Sequence, residues 1–250
     1  MVDFVVVIPA RFASERLPGK PLLSIGGRPM IEHVWSVGME SGARSVVIAT
    51  DDERIANAGE SFGAEVCMTA PTHTSGTDRI AEVADIYDWN DDLVVVNLQG
   101  DEPLMPAVLL RQCANLLDDA AADIGTLASP LQAPADWRNP NVVKALVDDN
   151  GFALYFSRAA LPYARDAGSE TMAAEAALHH HGIYAYRCGV LRQLVTTPPS
   201  TLEQAERLEQ LRALQLGLRI QVGIPAQRPG PGVDTAEDLR RAEEALQGRA

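Results

Sequence analysis

The chain has 250 residues, of which 46% are hydrophobic and 22% are charged, and its 21 Lys and Arg residues against 34 Asp and Glu residues leave a net charge of −13. This composition is typical of a folded protein with ample chain for a core, so we expect one domain over residues 1–250. The acidity argues against proteins that bind nucleic-acid phosphates or anionic membranes.

Two features indicate the cytoplasm. The first apolar run, residues 4–8, ends at Pro9 and has no basic flank, which excludes a signal peptide or a membrane span there. Three widely spaced cysteines, without metal-ligand spacing, are typical of buried thiols in a reducing compartment: Cys67, Cys113 and Cys188.

The first half of the chain alternates strands with helices. Residues 3–8, 45–50 and 93–98 are short, apolar on both faces and rich in β-branched side chains, as in strands covered by helices on two sides. Between them, residues 29–39 and 77–87 have helical spacing of apolar positions. The alternation predicts an α/β fold with a parallel, doubly wound sheet.

The second half is less regular and predicts a mixed-sheet extension at about residues 125–200. Four segments are predicted as strands, namely 124–130, 142–147, 152–157 and 181–187. The Ala-rich piece 171–177 is predicted as a mobile loop. A helix over 202–216, a strand over 219–224 and a last helix after Thr235 complete the chain, and Asp238 gives that last helix a capping box.

The loop after the first strand, residues 9–22, carries Arg11, Arg16 and Lys20 in a protein that has few cations. In a doubly wound sheet such a loop lies at the mouth of the ligand site, and three cations among small residues suit a polyphosphate. The sequence matches neither a Walker loop nor a GxGxxG fingerprint. The alternative is a solvated surface loop.

Acidic residues follow the third strand and precede the last helix. Asp101 and Glu102 stand at a strand end beside Gly100, which permits close backbone approach, and a magnesium ion between Asp101 and a nucleotide phosphate would explain them. The alternative is that they cap a helix beginning near Pro106. Asp234 follows a glycine turn, and taken alone its position is more typical of a helix-start residue than of a metal ligand.

Two further polar stretches are candidate binding segments. Residues 73–79 precede a helix, so their backbone N–H groups could meet a base or phosphate, or Ser75 or Thr77 could simply cap that helix. Polar residues also collect at 155–158, 165, 179–184 and 208–212, where each could be merely structural. Adjacent histidines on a strand point to opposite faces, so the triplet 179–181 cannot converge on one metal ion.

In combination, these motifs resemble the 3-deoxy-manno-octulosonate cytidylyltransferases, a family of sugar nucleotidyltransferases, over essentially the whole chain. The strings that carry the resemblance are VVIPARFASERLPGKPL, ATDD, HTSGTDR, NLQGDEP, YFSR, HGIYAYR, LEQLR and GVDT. The resemblance implies the nucleotide-diphospho-sugar transferase fold, a Rossmann-like, mostly parallel sheet with a smaller mixed-sheet region used to form a homodimer.

The resemblance also implies that CMP is transferred from CTP to 3-deoxy-manno-octulosonate (Kdo), in lipopolysaccharide biosynthesis. Arg11 and Lys20 would clamp the β- and γ-phosphates, and Asp101 and Asp234 would hold Mg²⁺. The cytidine pocket would comprise Ala10, Thr50, Ser75, Arg79 and Gln99. The sugar acid would be bound by Arg158, Arg165, His180, Tyr184, Glu209 and Gln210. Two alternatives stay open: a cytidylyltransferase for another ulosonic acid (8-amino-Kdo or a sialic acid), and a catalytically silent nucleotide-binding module.

Overall fold

A computed structural model describes residues 2–13, 17–166 and 168–247. Strands β1 to β11 span Phe4–Ala10, Ser24–Ile25, Arg28–Pro29, Val46–Thr50, Glu65–Met68, Val94–Asn97, Ile124–Pro130, Lys144–Val147, Ala153–Ser157, Leu178–Arg187 and Ile220–Gly223. Helices α1 to α10 span Met30–Glu40, Glu53–Ser61, Gly76–Ile86, Ala107–Asn115, Pro134–Arg138, Glu170–Glu175, Cys188–Thr196, Thr201–Glu206, Gln210–Gln215 and Ala236–Gln247.

The main sheet has the order β11-β7-β10-β6-β1-β4-β5, while β2 and β3 form a separate small hairpin. Strands β6, β1, β4 and β5 are parallel neighbours, and β11 is parallel to β7. Strand β10 runs antiparallel to both β6 and β7. It also pairs with β8, and β8 in turn pairs with β9. The predicted α/β fold, with a mostly parallel sheet and a mixed second half, is confirmed.

The core lies on both faces of this sheet because the central strands are apolar at almost every position. Alternate residues of β1 face opposite sides, so that Val5 packs with Ile80 of α3 on one face and Val6 packs with Ile31 of α1 on the other. Burial on both faces is why these strands show a continuous apolar run rather than an alternating pattern. All three cysteines are buried and free, as predicted.

Two segments differ from the prediction. The helix expected over 202–216 is two helices, α8 and α9, because Arg207 adopts a left-handed conformation with φ of +56°. The Ala-rich piece is largely helical (α6), since Ala173 and Ala174 bury their methyl groups in a small cluster with Trp137. None of the helices described is long and apolar enough to cross a membrane.

The mixed-sheet region is organised around a buried lysine. Lys144 of β8 has no exposed surface, and its Nζ donates to the carbonyl oxygens of Asn139 at 2.8 Å, Val142 at 2.5 Å and Arg158 at 2.7 Å. An ammonium group has three protons to donate, and these three carbonyls use all of them. The lysine therefore joins the loop before β8 to the end of β9.

The Lys144→Met variant should be destabilised by about 3 kcal/mol, because a side chain of similar length would leave carbonyl groups without their donor. Urea unfolding measures this change. Arg241→Met, at a side chain that is 61% exposed, is the matched control and should change the unfolding free energy by less than about 0.5 kcal/mol. Equal effects of the two substitutions would contradict the structural role of Lys144.

Candidate active site

An open cleft of about 830 Å³ lies at the carboxyl ends of β1 and β6, and we call it the outer cleft. Nine of the predicted site residues line it: Ala10, Arg11, Lys20, Ser75, Arg79, Gln99, Asp101, Glu209 and Asp234. Thr50 ends the neighbouring strand β4 but is not among the lining residues, and its Oγ1 accepts the N–H of Asp52 at 3.2 Å. Arg16, the third predicted cation of the loop, lies outside the described residues.

Gly100 allows two parts of the cleft wall to meet. A β-carbon at this position would lie 2.9 Å from the carbonyl oxygen of Pro9, closer than real contacts allow. A larger residue would push the loop that carries Asp101 away from the end of β1. Gly100 therefore allows the loop after β1, which carries Arg11 and Lys20, to lie close to the loop after β6, which carries Asp101.

A single ammonium group joins the two predicted metal carboxylates. Lys20 Nζ donates to Asp101 Oδ2 at 2.8 Å, to Asp234 Oδ1 at 3.0 Å and to the carbonyl of Val233 at 2.9 Å. The backbone N–H of Val233 also donates to the carbonyl of Asp101 at 2.9 Å. The structure thus brings together three charged groups that are up to 214 residues apart in sequence.

The electrostatics of this cluster favour a cation. Burial opposes the charge of Lys20, but the hydrogen bonds and charges of Asp101 and Asp234 outweigh it and raise the lysine pKa. Loss of solvation raises the pKa of Glu102 to about 8, and the charges of Asp101 and Asp234 add to this effect. Glu102 is therefore mostly protonated at neutral pH.

The alternative that Asp101 and Glu102 cap the following helix is wrong. Helix α4 begins at Ala107 after Pro106, and no side chain caps it. For Ser75 the capping interpretation is confirmed, since its Oγ accepts the N–H of Asp78 at 3.1 Å. Ser75 also lines the cleft, so the same residue caps α3 and forms part of the cleft wall.

Arg79 is buried at the base of the outer cleft. Its guanidinium lies 3.3 Å from Asp51 Oδ2 and donates to the hydroxyl of Thr69. These partners hold the planar group in one orientation, as expected for an arginine that offers fixed donors rather than a mobile charge.

A second cavity of about 320 Å³, the inner cleft, adjoins the first. The two share Gly76, Gln99 and Glu209 in their walls. The predicted sugar-site residues on its wall are His180, Tyr184, Glu209 and Gln210. The structure therefore brings together four of the six residues predicted for the sugar acid.

The other two, Arg158 and Arg165, are not among the lining residues of either cleft. Arg158 instead uses its Nε on the carbonyl of Glu206 at 2.7 Å and its Nη1 on the carbonyl of Pro140 at 3.1 Å. Arg165 is exposed.

Four buried polar atoms on the inner cleft wall have no hydrogen-bond partner within the described chain. They are Asn97 Oδ1, Tyr184 OH, Gln210 Nε2 and Arg212 Nε. Leaving such a group unsatisfied costs about 1–3 kcal/mol, and native proteins do so rarely. The set contains an acceptor, two donors and a hydroxyl that can do either, which suits a ligand with many hydroxyl groups.

Sequence reasoning missed Asn97 and Arg212 as site residues. Asn97 is 2% exposed in a strand of valines, and Arg212 is buried in α9, where it pairs with Glu203 at 2.8 Å. A polar residue in an otherwise apolar strand or helix face was the available signal. That signal does not say whether the polar atom meets protein or ligand.

The histidine triplet is arranged as predicted, with neighbours on opposite faces of β10. The rings of His179 and His181 are 4.9 Å apart, while His180 contacts Phe156 and lies with its Nε2 3.1 Å from Thr126 Oγ1. Burial lowers the pKa of His180 to about 3, helped by the two flanking histidines. The imidazole is therefore neutral at physiological pH.

This lowered pKa predicts a loss of stability in acid. The unfolded chain binds a proton near the ordinary value of 6.5, whereas folded His180 does so only near 3, so stability is lost as the pH falls through this interval. Protonation of His180 in the unfolded chain should lower the free energy of unfolding by about 1–2 kcal/mol between about pH 7 and pH 5. Urea unfolding of the unaltered protein and of His180→Gln at both pH values measures it, and an equal loss in the two proteins would contradict the assignment.

Comparisons with known proteins show the family to which the chain belongs. The family model described as cytidylyltransferase matches residues 5–220. The chain is 51% identical over 98% of both chains to 3-deoxy-manno-octulosonate cytidylyltransferase from Haemophilus ducreyi, and 49% identical, over 99% of this chain and 100% of its relative, to the protein of that name from Serratia proteamaculans.

Among solved structures, one of CMP:2-keto-3-deoxy-manno-octonic acid synthetase complexed with CTP superimposes with a TM-score of 0.90 at 40% identity, over 99% of this chain and 100% of the other. A cytidylyltransferase from Leptospira borgpetersenii has a TM-score of 0.65 at 16% identity, covering 99% of this chain and 88% of its own, and shares the fold. The chain belongs to the 3-deoxy-manno-octulosonate cytidylyltransferase family and is a nucleotidyltransferase.

Proposed function

We propose that the protein transfers CMP from CTP to the anomeric hydroxyl of Kdo, giving CMP-Kdo and pyrophosphate. The observation that carries this proposal is the junction of the two clefts at Gln99 and Glu209. A cleft with the charges for a metal-bound triphosphate opens there into a cleft with unpartnered polar atoms for a polyol. The solved relative complexed with CTP supports the nucleotide assignment.

On the nucleotide side, Arg11 and Lys20 would contact the β- and γ-phosphates. Both stand on the loop after β1 and line the outer cleft, where cations can stabilise the charge that grows on departing pyrophosphate. Ala10, Ser75, Arg79 and Gln99 would surround the cytidine. Thr50, which is fully buried and lines neither cleft, remains a prediction for that pocket.

Asp101 and Asp234 would hold Mg²⁺. They already share one cation, the ammonium of Lys20, and Mg²⁺ is usually held by one or two carboxylates together with substrate phosphates and water. The carboxylate pair therefore fits the ion, although the described residues include no cluster of three or more His, Cys, Asp or Glu residues placed for a metal. When bound, the ion supplies charge neutralisation at the phosphates.

On the sugar side, His180, Tyr184, Glu209 and Gln210 would bind Kdo. Neutral His180 cannot pair with the substrate carboxylate as a cation, so an arginine must do so. Arg158 and Arg165 remain predictions for that role. Arg207, which is exposed and lines the inner cleft, is a further candidate.

The reaction needs no covalent intermediate with the enzyme. The anomeric hydroxyl would attack the α-phosphorus in line with departing pyrophosphate, and the protein would contribute by orienting the two substrates and stabilising charge. Gln99 and Glu209, which line both clefts, would then lie beside the point where the hydroxyl approaches the phosphorus.

We further propose that the enzyme is a cytoplasmic homodimer of the lipopolysaccharide pathway. Leu154, Tyr163 and Met172 of the mixed-sheet region are 62%, 83% and 69% exposed. Such apolar surface is typical of contacts between subunits. A sedimentation mass of one chain at micromolar concentration would contradict the dimer.

With Mg²⁺ present, the protein should release pyrophosphate from CTP and Kdo. UTP, ATP and GTP are the competing nucleotides, and 8-amino-Kdo, N-acetylneuraminate and a sugar 1-phosphate are the competing acceptors. Faster turnover of another ulosonic acid would move the assignment to that acid. No release with any pair, from folded protein that binds CTP, would favour the silent nucleotide-binding module.

Asp101→Asn and Asp234→Asn should each lower kcat by about a hundredfold or more, because each removes half of the carboxylate pair. Asp149→Asn, at an exposed position in the turn between β8 and β9, is the matched control and should keep full activity. Circular dichroism would verify folding. Retention of more than about a tenth of the rate by either site variant would contradict the metal role.

A further inference from the structure

The inner cleft depends on the break between α8 and α9. In one continuous helix, residues three and four apart share a face, so Glu206, Glu209 and Gln210 would point the same way. In the structure, Glu206 faces β9, whereas Glu209 accepts a hydrogen bond from Thr77 Oγ1 of α3 at 2.6 Å. The left-handed turn at Arg207 separates these directions.

Glu206 joins the end of α8 to the end of β9 by three hydrogen bonds. Its Oε1 accepts from Ser157 Oγ at 2.6 Å, and its Oε2 accepts from the backbone N–H of Arg158 at 2.8 Å. In return, Arg158 Nε donates to the backbone carbonyl of Glu206 at 2.7 Å. A carbonyl at the last turn of a helix needs such a partner from outside the helix.

The β9 side of this contact is itself held in place. Lys144, which is fully buried, donates to the carbonyl of Arg158 at 2.7 Å, and Ser157 is 1% exposed. The backbone N–H of Ala159 donates to Ser157 Oγ at 2.9 Å. The end of β9 is therefore a fixed anchor, and Glu206 transmits its position to the turn that follows.

We propose that Glu206 is a positioning residue for the sugar substrate. It does not line either cleft, and acts by fixing the turn from which Glu209 and Gln210 reach the inner cleft. The inference rests on the proposed function of that cleft. Arg158 takes part in the same contact, because its backbone N–H and its Nε both donate to Glu206. This role does not depend on whether Arg158 also contacts the substrate.

Glu206→Ala tests the proposal, because alanine has no side-chain oxygen to accept from Ser157 and from the Arg158 N–H. We expect the KM for Kdo to rise about tenfold, since a displacement near 1 Å is enough to impair a site. The KM for CTP should change by less than about twofold, because Arg11 and Lys20 stand on a separate loop. Glu237→Ala, at an exposed carboxylate of α10, is the control and should leave both values unchanged.

Further measurements distinguish positioning from general loss of structure. Ser157→Ala is a milder variant that removes one of the three bonds and should raise the KM for Kdo less. The double variant should resemble Glu206→Ala, because both changes act through one contact. Equal rises in both KM values, an unchanged KM for Kdo in either variant, or additive effects would overturn the proposal. Inactivity of the unaltered protein with CTP and Kdo would instead overturn the proposed function.

Discussion

The outer cleft depends on one ammonium group placed between two carboxylates. Lys20 comes from the loop after the first strand, Asp101 from the loop after β6, and Asp234 from the segment before the last helix. Without a cation between them, two carboxylates at this separation would repel each other. Lys20 therefore holds three distant parts of the chain together. Its ammonium group keeps both carboxylates directed towards the same positive charge.

The packing around this contact keeps the three segments in register. Ile25 and Met30 near the first loop, Leu104 after Asp101, and Val233 beside Asp234 form one apolar cluster with Ala242 of α10. Burial of these side chains supplies the stability that the ion pairs alone would not, because partly exposed salt bridges contribute little. The last helix thus supports the outer cleft through its packing, although none of its described residues lines either cleft.

Much of the fold could be predicted from the sequence, because buried parallel strands leave a strong pattern. Runs such as residues 4–8 and 46–49 are apolar at every position, and the polar residues that follow them mark the carboxyl edge of the sheet. The break at Arg207 could not be predicted, since arginine seldom adopts positive φ and the segment is otherwise helical in character. Tertiary contacts from Ser157 and Arg158 decide it. Asn97 and Arg212 were not predicted as site residues for a related reason. The sequence does not show that a polar side chain is buried, because burial depends on residues that are distant along the chain.

Strand β10 has a consequence for how the protein is made. It lies between β6 and β7 and places Tyr184 opposite Asn97, so the floor of the inner cleft unites residues 87 positions apart (184 − 97). During synthesis the N-terminal strands can pair early, but this antiparallel neighbour arrives much later, and Asp234 later still. A nascent chain that has paired β6, β1, β4 and β5 therefore still lacks the β10 side of the inner cleft. The inner cleft can form only after β10 and α9 have been synthesised, and the contact between Lys20 and both carboxylates only after Asp234.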